Sequence, residues 1–160
     1  MTLRLVRVDD RLIHGQVVAV WLRAIGADRI VIVDDGVARD DFLVEVLTLA
    51  APAGVPVEVH GIATGAPRVA ELATGQEAVF ILVKTPLTAL ALRHAGVAFD
   101  VLNVGGMGAG PGRRSLYRTI SASDEERAAF REIAAMGTAV EIRIIVDDRP
   151  IAFESVDRRG

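Results

Sequence analysis

The chain has 160 residues, 51% of them apolar and 24% charged, and a formal net charge of −3. That length supports one hydrophobic core. The apolar share excludes disorder, and the charge argues against general affinity for nucleic acid or an anionic membrane. With no cysteine in the chain, thiolate zinc sites, iron–sulfur clusters, disulfides and cysteine nucleophiles are excluded. Lys84 is the one lysine against seventeen arginines.

Leu3–Val8 reads as a first strand. Arg4 and Arg7 interrupt it, which argues against a signal peptide or a membrane anchor. Mean hydropathy is +0.39, yet no apolar run approaches the ~20 residues that cross a bilayer, and the chain reads as cytoplasmic. Gln16–Ile25 carries Val17, Val18, Val20, Trp21 and Ile25 on one broad helical face, with Gly26 as a left-handed stop. Ile30–Val33 is a strand covered on both faces. Asp40 or Asp41 caps a helix through Phe42, Val46, Leu47 and Leu49 to about Ala51, before Pro52. Val55–Val59 is a weaker strand, and Val79–Val83 a strong one. Thr85-Pro86 opens a helix that Gly96 closes after His94. Val101–Val104 is a further buried strand. Ser123-Asp-Glu-Glu126 is a capping box for a helix through Phe130 and Ile133 to Gly137. Val140–Ile144 alternates and belongs near an edge, and Ile151–Phe153 adds a short edge strand.

Strand and helix alternating in this way predict right-handed crossovers and a mostly parallel sheet. The expectation is one three-layer α/β/α domain over residues 1–160, with about six strands and a short C-terminal edge strand. Ligands bind such sheets at the carboxyl ends of the strands. The candidate loops are therefore Asp9–Gly15, Asp34–Gly36, His60-Gly61, Lys84–Pro86 and Gly105–Arg118.

The densest of these, Asp9-Asp-Arg-Leu-Ile-His14-Gly-Gln16, puts an imidazole, a guanidinium and two carboxylates beside a helix N-terminus. Free amide hydrogens and the helix dipole there favour an anion. A neutral histidine is a competent nucleophile towards phosphorus, and an adjacent arginine can fork two phosphoryl oxygens. Phosphoryl transfer needs little beyond positioning and charge compensation. The competing structural reading pairs Arg11 with Asp9 or Asp10 and leaves His14 topping a helix.

Val6-Arg-Val-Asp-Asp-Arg-Leu-Ile-His-Gly-Gln-Val17 resembles the signature of the IIB component of bacterial phosphotransferase systems of the mannose/fructose/sorbose family. Ile30–Asp35, Ala50–Val57, Asn103–Met107 and Val140–Ile144 follow in that family's order, so the resemblance covers essentially the whole chain. It implies a cytoplasmic protein, peripherally associated with a membrane permease, whose first strand is central in a parallel sheet. It implies that His14 accepts a phosphoryl group from a IIA domain and passes it to a sugar carried by membrane IIC and IID subunits. Attachment at Nδ1 is implied as well, which leaves Nε2–H to donate to a carboxylate or carbonyl. Asp10 is the candidate for that acceptor, or for pairing with Arg11. Because the intermediate is covalent, no nucleotide, metal or organic cofactor is implied. Gly15, Gln16, Lys84 and Thr85 are candidates for binding phosphate or a partner, with Lys84 either lining the cleft or snorkelling at the end of its buried strand.

Gly105-Gly-Met-Gly-Ala-Gly-Pro-Gly112 fits no nucleotide fingerprint: no register gives G-x-G-x-x-G, and it contains no lysine. It reads either as a flexible loop with positive φ angles or as a wall of the active site. On the second reading Gly105 and Gly106 let backbone approach phosphate, and Met107 offers a soft contact to two partners. Arg113, Arg114 and Arg118 depart from the family pattern, in which lysines are usual, and form either a basic rim or a solvated loop. His60 and His94 read as structural, and no two histidines have metal-ligand spacing. The leading function is a sugar phosphotransferase component. A phosphorylation-state regulator of the same fold and a non-catalytic ligand-binding module are the alternatives. The many exposed-looking Ala and Val residues also leave room for a homo-oligomer.

Overall fold

A computed structural model describes residues 2–15 and 17–157. Seven strands form the main sheet: β1 (Leu3–Asp9), β2 (Arg29–Val33), β3 (Val57–His60), β4 (Val79–Val83), β5 (Val101–Gly106), β8 (Ala139–Ile142) and β9 (Ile151–Ala152). Their order is β3-β2-β4-β1-β5-β8-β9. The first six run parallel and β9 runs antiparallel to β8. About six parallel strands, a central β1 and a short C-terminal edge strand match the expectation.

The two faces of the sheet bury different layers. Val6 and Val8 of β1 join Val31, Val33, Ile81 and Val104 beneath α4 (Ile62–Ala73), α5 (Pro86–His94) and α6 (Asp124–Ala135). Ile30, Ile32, Phe80 and Leu82 face α1 (Val17–Ile25) and α3 (Asp41–Ala50), where Trp21, Leu22 and Leu47 cover them. Short helices α2 (Asp35–Ala38) and α7 (Phe153–Val156) complete the set. Among the described residues, no helix is long and apolar enough to cross a membrane.

The helix boundaries follow the local chemistry. Asp40 caps α3 by accepting from the Leu43 N–H at 3.1 Å. Ser123 and Glu126 close the capping box of α6 in both directions. Gly26, Gly96 and Gly137 take left-handed φ after α1, α5 and α6. Thr85 precedes Pro86 as expected, although its side chain makes no capping bond.

Besides the short helices α2 and α7, the second of which takes Phe153 from the expected edge strand, two features were not expected. Helix α4 contains Gly65 and Pro67, both helix breakers by propensity, and so leaves no clear periodic signal. Gly65 is buried against the sheet, and a Cβ there would stand 3.1 Å from Val33 Cγ1 and 3.2 Å from His60 Cβ. The glycine thus lets the helix pack close, which offsets its poor propensity. The second is an antiparallel pair, β6 (Arg114–Tyr117) with β7 (Ile120–Ala122), in what reads as a solvated arginine-rich loop. Leu116, Ile120 and Ala122 turn inward from it to join the core.

Candidate active site

Strand β1 ends at the centre of the sheet, and the loop after it carries His14. The strand's alternation sends Val6 and Val8 to one face and Arg7 and Asp9 to the other, towards Trp21. Arg7 is therefore a buried cation, 2% exposed. It lies in register with Asn103 on β5 and donates to Asn103 Oδ1 at 2.6 Å. It also donates to the carbonyls of Arg143 and Ile144, each at 3.0 Å, and to Asp9 Oδ2 at 3.4 Å. Its carbon Cζ stands 4.7 Å from the Trp21 ring centroid. Burial pushes its pKa below the usual arginine value, with the Asp9 charge pulling the other way. A buried cation this fully hydrogen-bonded fixes whatever it touches.

Asp9 is 1% exposed and holds the loop in two ways. Its Oδ1 accepts from the Arg11 N–H at 3.1 Å, and its Oδ2 lies 3.2 Å from His14 Nε2. An ionised carboxylate only accepts, so this contact keeps the proton on Nε2 and the lone pair on Nδ1. Nδ1 has no partner among the described residues. The loop backbone is pinned as well: Leu12 and Ile13 are buried beneath it, and Leu12 takes φ +56°, rare for a branched residue. Gly15 follows at φ +51°.

Asp10 does not contact His14, so the acceptor expected at Asp10 is Asp9. Nor does Asp10 pair with Arg11. Its N–H donates to the Gly106 carbonyl at 2.9 Å, and its Oδ2 accepts from the Gly108 N–H at 2.8 Å and from Arg113 at 3.4 Å. The side chain of Arg11 is exposed and makes no hydrogen bond or ion pair among the described residues. The surface-pair reading of Arg11 is therefore set aside.

Beside this loop lies a cleft of about 290 Å³ lined by Asp10, Arg11, Gly105–Gly108, Thr119 and Ile144. Gly105 and Gly106 end β5 rather than forming a loop, and each is glycine for want of room. A Cβ on Gly105 would meet the Arg7 guanidinium at 1.9 Å, and one on Gly106 would meet Asp9 Oδ1 at 2.4 Å. Of the glycines from 105 to 112, only Gly112 has positive φ. Met107 is 1% exposed and packs into the core, so its side chain is not a soft outward contact for partners. Lys84 and Thr85 sit at the end of β4 and do not line the cleft. Gln16 lies outside the described residues.

The remaining histidines are engaged elsewhere. His60 lies 2.9 Å from Glu58, both on β3, in a network with Arg29 of β2 and Arg68 of α4, and His94 lies 2.8 Å from Glu132. Among the described residues, no cluster of three or more His, Asp or Glu side chains is placed to hold a metal ion. Arg113 pairs with Glu126, Arg114 with Asp124, and Arg118 stacks over Tyr117, so the three arginines point to separate partners. Sequence reasoning missed Arg7 and Asn103, and weighed Arg113 only as part of a basic rim or a solvated loop. The two-residue spacing of Arg7 and Asp9 and the lone amide in apolar β5 were the available signals for the first two.

The family model for the phosphotransferase system sorbose subfamily IIB component matches residues 3–157. The chain belongs to that family. The sorbose-specific EIIB component of Klebsiella pneumoniae is 35% identical over 148 residues, covering 92% of this chain and 90% of the relative. The crystal structure of the IIBSor domain of the sorbose permease from the same organism matches at a TM-score of 0.91 and 34% identity. That match covers 97% of this chain and 95% of the other. The mannose-specific EIIAB component of Escherichia coli K12 is 33% identical over 148 residues, which is 92% of this chain and 46% of that protein. As a IIB component of the sorbose subfamily, the protein is a phosphocarrier and transferase in sugar phosphotransfer.

Proposed function

We propose that His14 Nδ1 is the atom that carries the phosphoryl group, that a IIA phosphohistidine is the donor, and that a sugar hydroxyl is the acceptor. The observation that supports this best is the hydrogen bonding of His14: Nε2 is engaged by Asp9, while Nδ1 has no hydrogen-bond partner among the described residues. In the first step the Nδ1 lone pair attacks phosphorus, and the donor's N–P bond breaks with its electron pair returning to the donor imidazole. The His14 ring becomes cationic, and Asp9 stabilises it through Nε2–H. Arg11 compensates charge on the phosphoryl oxygens during both transfers. In the second step the sugar oxygen attacks, its proton passes to solvent or a base, and the N–P electron pair returns to His14.

The donor assignment draws on the mannose-specific relative, whose EIIAB name places A and B components in one protein. An apolar hollow of about 170 Å³, lined by Val17, Val20, Trp21, Ile145 and Val146, offers the donor a surface to seat on. Transfer to sugar would then occur at membrane IIC and IID subunits, with this chain bound peripherally as one unit. The test is phosphorylation by phosphoenolpyruvate through enzyme I, HPr and a family IIA, followed by peptide mapping of the acid-labile label. Label on His14 alone, lost in His14→Ala, is expected. Label on His60 or His94, or uptake by His14→Ala, would overturn the assignment.

A further inference from the structure

The active-site loop carries two neighbouring carboxylates and a guanidinium, Asp9-Asp10-Arg11, and only the guanidinium is left unpaired among the described residues. Each carboxylate is met by an arginine from outside the loop. Arg7 takes Asp9 and Arg113 takes Asp10. Arg113 is set from three sides. Its NH1 donates to the Gly108 carbonyl at 2.8 Å while reaching Asp10 Oδ2 at 3.4 Å. Its Nε and NH2 fork onto Glu126 Oε1 and Oε2 at 2.9 and 2.7 Å. Glu126 is 6% exposed and locked into the capping box of α6. The Arg113 side chain is itself only 17% exposed.

Asp10 and Arg11 are adjacent in sequence; without Arg113 the Asp10 carboxylate keeps only the neutral Gly108 N–H donor, and a free guanidinium beside it forms a charge-assisted pair. Such a pair would occupy the guanidinium donors that phosphoryl oxygens need. We infer that Arg113 is a positioning residue for phosphoryl transfer: by engaging Asp10 across the glycine-rich segment, it keeps Arg11 available to the phosphoryl group. The inference rests on the reading that His14 takes that group. Arg113 touches neither His14 nor the reacting atoms, so it acts through Asp10 alone. A lysine there could not fork onto Glu126 and reach Asp10 at once.

The experiment compares the full chain with Arg113→Ala, Arg113→Gln, Asp10→Asn and the Arg113→Ala/Asp10→Asn double variant. One readout needs no phosphate: solvent exchange of the Arg11 Nε–H in the unphosphorylated protein. Exchange should slow about tenfold in Arg113→Ala, as Asp10 captures Arg11, and recover in the double variant, where the competing charge is gone. The other readout is transfer from phosphorylated IIA. In Arg113→Ala kcat should fall about ten- to a hundredfold with KM little changed, and the double variant should recover to within about threefold of Asp10→Asn. Arg113→Gln keeps a hydrogen bond to Glu126, so it repeats the comparison if the alanine variant does not fold. Equal slowing of the single and double variants, or an Arg11 that exchanges freely in Arg113→Ala, overturns the inference and reduces Arg113 to a scaffold contact. A wild-type chain that takes no phosphate overturns the acceptor reading and the transfer claim with it, whatever Arg11 does.

Discussion

A Cβ on Gly106 would stand 2.4 Å from Asp9 Oδ1. The glycine at the end of β5 thus makes room for the carboxylate that orients His14. Gly106→Ala must move either the strand end or Asp9. Transfer should slow tenfold or more, and stability should drop by about 1–3 kcal/mol, measured by urea denaturation alongside a transfer assay. Gly105→Ala drives into the Arg7 guanidinium and should cost more stability than Gly106→Ala. Wild-type stability and rate in both variants would show that β5 yields without cost.

Asp9→Asn keeps the shape of the side chain and removes the charge. An amide can present either a donor or an acceptor to Nε2, so the tautomer of His14 is no longer fixed. A transfer loss of about two decades or more is expected, by analogy with other oriented histidines. Arg7 loses its one carboxylate partner while keeping three oxygen acceptors. Breaking a buried pair costs up to about 3–5 kcal/mol, and the surviving acceptors place Asp9→Asn below that range. Proton NMR of the His14 ring would show the mixed tautomers directly.

Arg11→Ala separates function from stability in the opposite sense. The side chain is exposed and bonded to nothing among the described residues, so the melting temperature should hold, with a change within about 0.5 kcal/mol. Losing charge compensation at a transferring group commonly costs about 2.7–4 kcal/mol of barrier, or two to three decades in rate. Arg11→Lys should restore only part of it, since a point charge cannot fork two oxygens. A full-speed Arg11→Ala would mean that the phosphoryl oxygens are held by backbone alone.

On the acid side, stability should depend on Glu58. Hydrogen bonds from Arg68, opposed by burial and aided by His60 and Arg29, bring its carboxyl from 4.5 to about 2. The folded value lies below the unfolded one, so this contribution is complete above about pH 4.5. It is lost as pH falls towards 2. Glu126 shifts in the same direction: burial opposes ionisation, but Arg113 and the Ser123 backbone outweigh it. Glu58→Gln should flatten the fall in melting temperature between about pH 4.5 and 2. An unchanged slope would assign the acid sensitivity to other carboxylates.

The parts of this molecule that are short-range in sequence were legible there. His14, Arg11 and the helix that follows fall within a dozen residues, and capping residues such as Asp40 and Ser123 act within one turn. The choice of Asp10 over Asp9 as the histidine's acceptor failed because β1 continues its alternation past Val8. That parity carries Asp9, with Arg7, to the side of Trp21. Helix α4 was hidden because Gly65 and Pro67 are read by local propensity, whereas Gly65 answers to Val33 and His60 across the layer. The contact of Asp10 with Arg113 spans 103 residues, and no pattern of spacing or periodicity announces it.

Trp21 is the one tryptophan of the chain and is 2% exposed. The guanidiniums of Arg7 and Arg143 stand over its ring at 4.7 and 5.2 Å. An excited indole moves electron density across its two rings, so its emission wavelength responds to fixed charge nearby. A phosphoryl group on His14, as proposed above, would bring a charge of up to about −2 to a loop that is wired to Arg7 through Asp9. Native fluorescence therefore supplies a label-free optical gauge of whether the carrier is loaded or empty, recorded on the unmodified chain during turnover.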